Sequence, residues 1–192
     1  MSHVFWARWL AAVVAALSAA SCAGSVNVSR TQSSASGWLA YTQPPAPMHL
    51  TFAYPPKWTA RGATFVSTMG NVGLVQVTGD TSATAAEFDA ASCPKRVQLL
   101  HGSGAYITWG ANIGSPIPIR LSDMPGRKVW VNGHAARLAE AKSSICGLET
   151  LVNGAIETRP RTFLFMHAEV GARAGPATLA AVRKIFFSAR AP

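Results

Sequence analysis

The stretch KVWVNGHAARLAEA, residues 128–141, places Asn132-Gly133 between two β-prone runs. A two-residue hairpin turn of the favoured hand needs positive φ at both central positions, and Asn followed by Gly accepts that most readily. The stretch therefore predicts strands over 128–131 and 134–141 joined by a tight turn. The same pattern recurs on both sides. Residues 148–157 and 162–170 read as another antiparallel pair around Arg159-Pro160, with Asn153-Gly154 left open as turn or bulge. Upstream, 63–69 and 72–78 are β-prone runs joined at Gly70-Asn71, and 104–111 alternates Ala105, Ile107 and Trp109 against Tyr106 and Thr108. Residues 114–118 read as loop.

Helical signals are fewer. In 81–91, Ser82 or Thr84 can cap, the alanines and Glu87 favour helix, and Phe88 is the anchor. At the C-terminus Gly175 and Pro176 suit a helix start. Leu179, Val182, Ile185, Phe186 and Ala189 then line one face, with Arg183, Lys184 and Arg190 toward the negative end of the dipole. Near the start of the domain, 49–54 aligns Leu50, Phe52 and Tyr54 on one side of a strand that Pro55-Pro56 ends, and Trp58 reads as a core plug. The fold class is α+β: an antiparallel sheet built from hairpins, with a C-terminal helix and a short helix packed on it.

The chain has 192 residues, 49% of them apolar and 13% charged, a balance opposite to that of disordered chains. No apolar run reaches the ~18 residues of a membrane-spanning helix. Residues 1–21 carry one charge, Arg8, and the small apolar run LAAVVAALSAA, which reads as an export signal. They close on Ala19-Ala20-Ser21-Cys22. That ending resembles a bacterial lipobox, which implies diacylglycerol on Cys22 as the mature N-terminus. The alternative is an ordinary signal peptide cut near Ala20. Residues 22–47 read as a tether, rich in Ser and Gly and stiffened by Pro44, Pro45 and Pro47. Residues 48–192 are then a single domain.

There are three cysteines, Cys22, Cys93 and Cys146. An odd number in an exported chain asks for an explanation. Lipid on Cys22 leaves Cys93 and Cys146 as one pair where oxidation is possible. Such a bond closes a segment of 53 residues (146 − 93), worth about 4 kcal/mol of chain entropy. Metal binding by the two is the rival reading, and it lacks a second ligand at zinc-like spacing.

Chemistry is sparse. His101-Gly102-Ser103-Gly104 lacks the spacing of a nucleophile elbow and reads as a flexible hairpin. His49, His101, His134 and His167 form no metal motif, and the acidic residues are too dispersed to nominate an acid/base pair. Without G-x-G-x-x-G or a P-loop, no cofactor is implied. Net charge is +9, or +8 once Arg8 goes with the leader. Arg120, Arg127 and Lys128 lie close together, as do Arg159 with Arg161 and Arg183 with Lys184. These are either a solvated surface or an attraction to anionic envelope lipids or polymers. Nucleic acid is a poor partner outside the cytoplasm, and no recognition motif for it is present.

The elements FAYPPKW (52–58), VNGHAAR (131–137) and Gly175-Pro176 through Ser188-Ala189-Arg190 resemble a group of small actinobacterial cell-envelope lipoproteins, LpqN-like proteins among them. Lys57 stands where that group usually has Gly before the Trp. The resemblance implies a PsbP-like α/β/α sandwich, a location at the extracytoplasmic face of the cell membrane and no assigned activity. Two functions remain open. One is a lipid-anchored, non-catalytic binding or scaffolding module for an envelope lipid, glycan or protein. The other is an envelope hydrolase or transferase whose site only folding assembles.

Overall fold

A computed structural model describes residues 31–32, 37–43, 48–66, 71–113, 119–142 and 150–191. Ten strands, three α-helices and one 3₁₀ turn at Leu121–Asp123 are present among them. In chain order the strands are β1 (Thr31–Gln32), β2 (Leu39–Thr42), β3 (Thr51–Tyr54), β4 (Thr59–Val66), β5 (Asn71–Gly79), β6 (Ala105–Ile113), β7 (Arg127–Val131), β8 (His134–Lys142), β9 (Thr150–Arg159) and β10 (Thr162–Val170). The helices are α1 (Ala85–Ala90), α2 (Cys93–Leu99) and α3 (Pro176–Ser188). Strands β4-β5-β6-β10-β9-β8-β7 form one antiparallel sheet, and β1-β2-β3 a small second one. The fold is α+β, as the hairpin pattern predicts.

The decisive hairpin forms as expected. Val131 pairs with His134, and Asn132 and Gly133 take φ of 47° and 88°. Pro160-Arg161 turns β9 into β10, with Arg161 at φ 64°. Asn153-Gly154 is neither turn nor bulge. It lies inside β9, paired with His167 and Met166 of β10, and the register shift falls instead beside Thr162. The reason is tertiary. A Cβ on Gly154 would stand 2.2 Å from Phe186 Cε2, so glycine there lets α3 lie down on the sheet. Gly79 does the same for the Trp58 plug, whose ring would meet a Cβ at 2.1 Å.

Alternation along the strands gives the sheet two faces. Ala105, Ile107, Trp109 and Ala111 point into the main core with Leu164, Met166, Ala168, Val182, Ile185 and Phe186. The small sheet shares that side: Phe52 stacks 5.9 Å from Trp109, and Thr51 bridges to Arg190 just past α3. On the opposite face α1 and α2 cover one end, where the rings of Phe88 and Tyr106 stack at 4.4 Å and 6°. Thr84 caps α1 by a reciprocal pair of hydrogen bonds with Glu87.

Two elements depart from the sequence reading. Helix α2 follows Ser92 and carries Pro94 in its first turn, a start signal of the kind used for α3. The fold also reaches back into the stretch read as tether. Strand β2 pairs with β3 in register from Leu39–Tyr54 to Thr42–Thr51, Tyr41 is buried, and Lys184 sits 4.0 Å above the Trp38 ring. Apolar Trp38, Leu39 and Tyr41 have a sheet edge to join, and that outweighs the Ser and Pro around them.

Candidate functional site

Two arrangements gather ionisable groups. The first is a recess of about 780 Å³ between the β7–β8 hairpin and α3. Pro125, Leu138, Ala139 and Ala141 give it apolar walls, and Arg127, Glu140 and Arg183 its charges. Hairpin geometry puts Arg127 opposite Leu138, and Glu140 two residues further along β8. One turn of α3 brings Arg183 to the same place. Its Nε and Nη2 donate to the two oxygens of Glu140 at 2.8 and 2.5 Å. That bidentate pair holds the Glu140 carboxyl below the usual range, with the Arg183 and Arg127 charges adding to the effect against partial burial. The same contact raises Arg183. Arg127 is exposed at the rim.

The second arrangement crosses the face that α1 and α2 partly cover. Register places Asn153, His167 and Glu169 in reach of one another, and Arg96 comes from α2. His167 Nδ1 lies 2.7 Å from Asn153 Oδ1, and Nε2 lies 3.5 Å from Glu169 Oε1. Arg96 Nη1 donates to the same carboxylate oxygen at 2.6 Å, and its guanidinium lies 6.0 Å from the Tyr106 ring. Burial pushes the Glu169 carboxyl up. The His167 hydrogen bond and the Arg96 charge outweigh it, so the group sits below the usual range. Glu169 Oε2 is buried and has no hydrogen-bond partner among the described residues. Both His167 ring nitrogens face acceptors, so neither is turned toward a substrate as a general base would be. The network ties α2 to the sheet.

The residues singled out from sequence fall in three groups. Cys22, Cys146 and the side chain of Cys93 lie outside the described residues, so the anchor and the Cys93–Cys146 bond lie there too. The backbone of Cys93 opens α2. His101-Gly102 is the turn from α2 into β6 rather than a hairpin, with His101 at φ 50° and its ring 3.5 Å from Ser82 Oγ. The basic clusters separate. Arg120, Arg127 and Lys128 are exposed, Arg159 and Arg161 flank the β9–β10 turn, Arg183 is paired with Glu140, and Lys184 covers Trp38. Glu140 and the His167–Glu169 pair are the groups that sequence reasoning passed over. His167 and Glu169 stand two apart in a strand and so share a face, a signal that was present. Asn153 and Arg96 reach them only through register and the unforeseen α2. Tyr41 is a further buried titratable group: burial, with Tyr54 beside it, pushes its hydroxyl up to about 12, and it donates to Gln43 Oε1 at 2.6 Å.

Among the described residues no three His, Cys, Asp or Glu side chains cluster as a metal site, and no helix is long and apolar enough to cross a membrane. No protein-family model matches the chain, and no curated protein matches it.

Proposed function

We propose that this protein is exported, anchored by acyl chains on Cys22, and binds an anionic amphiphile of the cell envelope without transforming it. The observation that carries the reading is the recess beside α3. Its walls are apolar, its two central charges satisfy each other, and Arg127 remains at the rim to meet an anionic headgroup. A catalytic pair would need an acid or base free to move a proton, whereas both oxygens of Glu140 accept from Arg183. His167, the other group considered, has both ring nitrogens engaged. This supports binding over the hydrolase or transferase alternative. Helices on both faces of an antiparallel sheet are in keeping with the PsbP-like architecture and with the LpqN-like envelope lipoproteins that the sequence resembles.

The test is mass spectrometry of molecules that co-purify with the exported chain. An anionic lipid or glycolipid is expected with the native protein. Arg183→Glu, which removes the bidentate pair and sets two carboxylates together in the recess, is expected to abolish its recovery. Arg127→Glu is expected to lower it about tenfold, the weight of one lost charged hydrogen bond. Equal recovery from all three proteins contradicts the assignment of the recess.

The Cys93–Cys146 bond belongs to the same proposal, because it follows from export and from lipid on Cys22. Thiol labelling of the native exported protein is expected to find neither cysteine reactive before reduction. Full labelling of both without reductant contradicts the bond.

A further inference from the structure

We propose that the face of the β7–β8 hairpin turned away from α3 is a membrane-contact surface that lays the domain on an anionic bilayer through Trp130, Lys128 and Arg137. This rests on the export and anchoring reading above. Trp130 is 62% exposed, the most exposed large apolar side chain among the described residues. Strand β7 ends the sheet order, so its outer edge has no strand partner among them. Lys128 Nζ lies 5.6 Å from the Trp130 ring centroid. Across the strand pair Lys128 faces Arg137, whose Nη1 and Nη2 donate to the carbonyls of Gly126 and Ser122. Those contacts fix the guanidinium in place and leave its charge whole. No carboxylate of the described residues pairs with Lys128 or Arg137.

Edge strands commonly carry lysine and arginine to discourage pairing with other chains, and that accounts for Arg127 and Lys128. It does not account for Trp130, because an exposed indole on an edge invites association. An indole with lysine and arginine on the same strand-pair face has the composition of an interfacial anchor, the ring at headgroup level and the cations on anionic lipid. Charge complementarity selects the occupant. A +8 chain with its uncompensated cations beside the indole suits a negatively charged lipid surface.

The experiment uses the full chain in two forms, the native protein and the Cys22→Ser variant, with vesicles of phosphatidylglycerol and phosphatidylcholine or of phosphatidylcholine alone. The Cys22→Ser chain is expected to sediment with the anionic vesicles at low salt and to be released at high salt. On that background Lys128→Gln is expected to weaken binding about fivefold. Trp130→Ser is expected to weaken it about tenfold or more. Both side chains are exposed, so the thermal midpoints are expected to stay unchanged. Three results would overturn the proposal: no low-salt binding, binding indifferent to both substitutions, or a Trp130-dependent dimer in sedimentation in place of vesicle binding. The two readings fail separately. A native chain without acyl groups, whose vesicle binding still depends on Trp130, removes the anchor and keeps the contact surface. An acylated chain indifferent to Trp130 does the reverse.

Discussion

Phe186→Ala is expected to lower stability by about 3–5 kcal/mol, the range for truncating a fully buried aromatic side chain. Phe186 has no exposure, and its ring lies 6.2 Å from Trp109 and edge-on to Phe187 at 5.5 Å. Beneath it is Gly154, which has no side chain to fill the hole. Neighbouring atoms of a paired strand cannot collapse into that space, so the cavity should persist. Gly154→Ala is expected to be destabilising for the opposite reason, since its Cβ would overlap the ring at 2.2 Å. The two substitutions should therefore compensate in part. The double variant is expected to be more stable than the sum of the single losses allows, by about 1 kcal/mol or more. Urea titration with an unchanged m-value reads all three. A loss under about 1 kcal/mol for Phe186→Ala, or strict additivity, contradicts the docking of α3 on β9.

Glu169→Gln is expected to cost about 3 kcal/mol. The side chain of Glu169 is 7% exposed and that of Arg96 is 21% exposed, so removing the carboxylate strands a largely buried guanidinium. The lower end of the range for broken buried pairs applies because Arg96 keeps some access to water. Acid should produce the same loss in the parent protein. A carboxyl whose folded value is depressed adds stability that is present above its unfolded value of about 4.3 and disappears as pH falls through the folded value. Stability should thus fall below about pH 4, and Glu169→Gln should flatten that part of the profile. A variant that retains the parental acid slope contradicts the placement of Glu169 in this network. Because α2 hangs on the pair, amide exchange in Cys93–Leu99 should accelerate more than in α3.

Local chemistry made some of the fold legible in the sequence. Asn132-Gly133 names its own turn, Pro176 its own helix start, and the alternation of Leu50, Phe52 and Tyr54 its own buried face. What remained hidden depends on distant partners. Gly154 reads as a turn residue until Phe186 is placed over it. Leu39–Thr42 sits among Ser and Pro and becomes a strand only because β3 offers an edge. The recess was half legible: Arg127, Lys128 and Arg183 stood out as cations. That Glu140 would neutralise Arg183 and leave Arg127 at the rim required the hairpin and α3 to be laid side by side. Trp130 alternates with Val129 and Val131 like any strand residue, and it is exposed because it stands on the face of this end strand opposite the main core that holds Val131.

Anchoring at the envelope is tested most directly by the mass of the N-terminal peptide of the exported chain, taken together with detergent-phase partitioning. Each buried methylene adds about 0.8 kcal/mol, so two or three acyl chains should hold the protein firmly in the detergent phase. The expected result is a mature chain that begins at an acylated Cys22 and leaves the detergent phase in the Cys22→Ser variant. An unmodified Cys22 thiol, or partitioning that Cys22→Ser does not change, would contradict it.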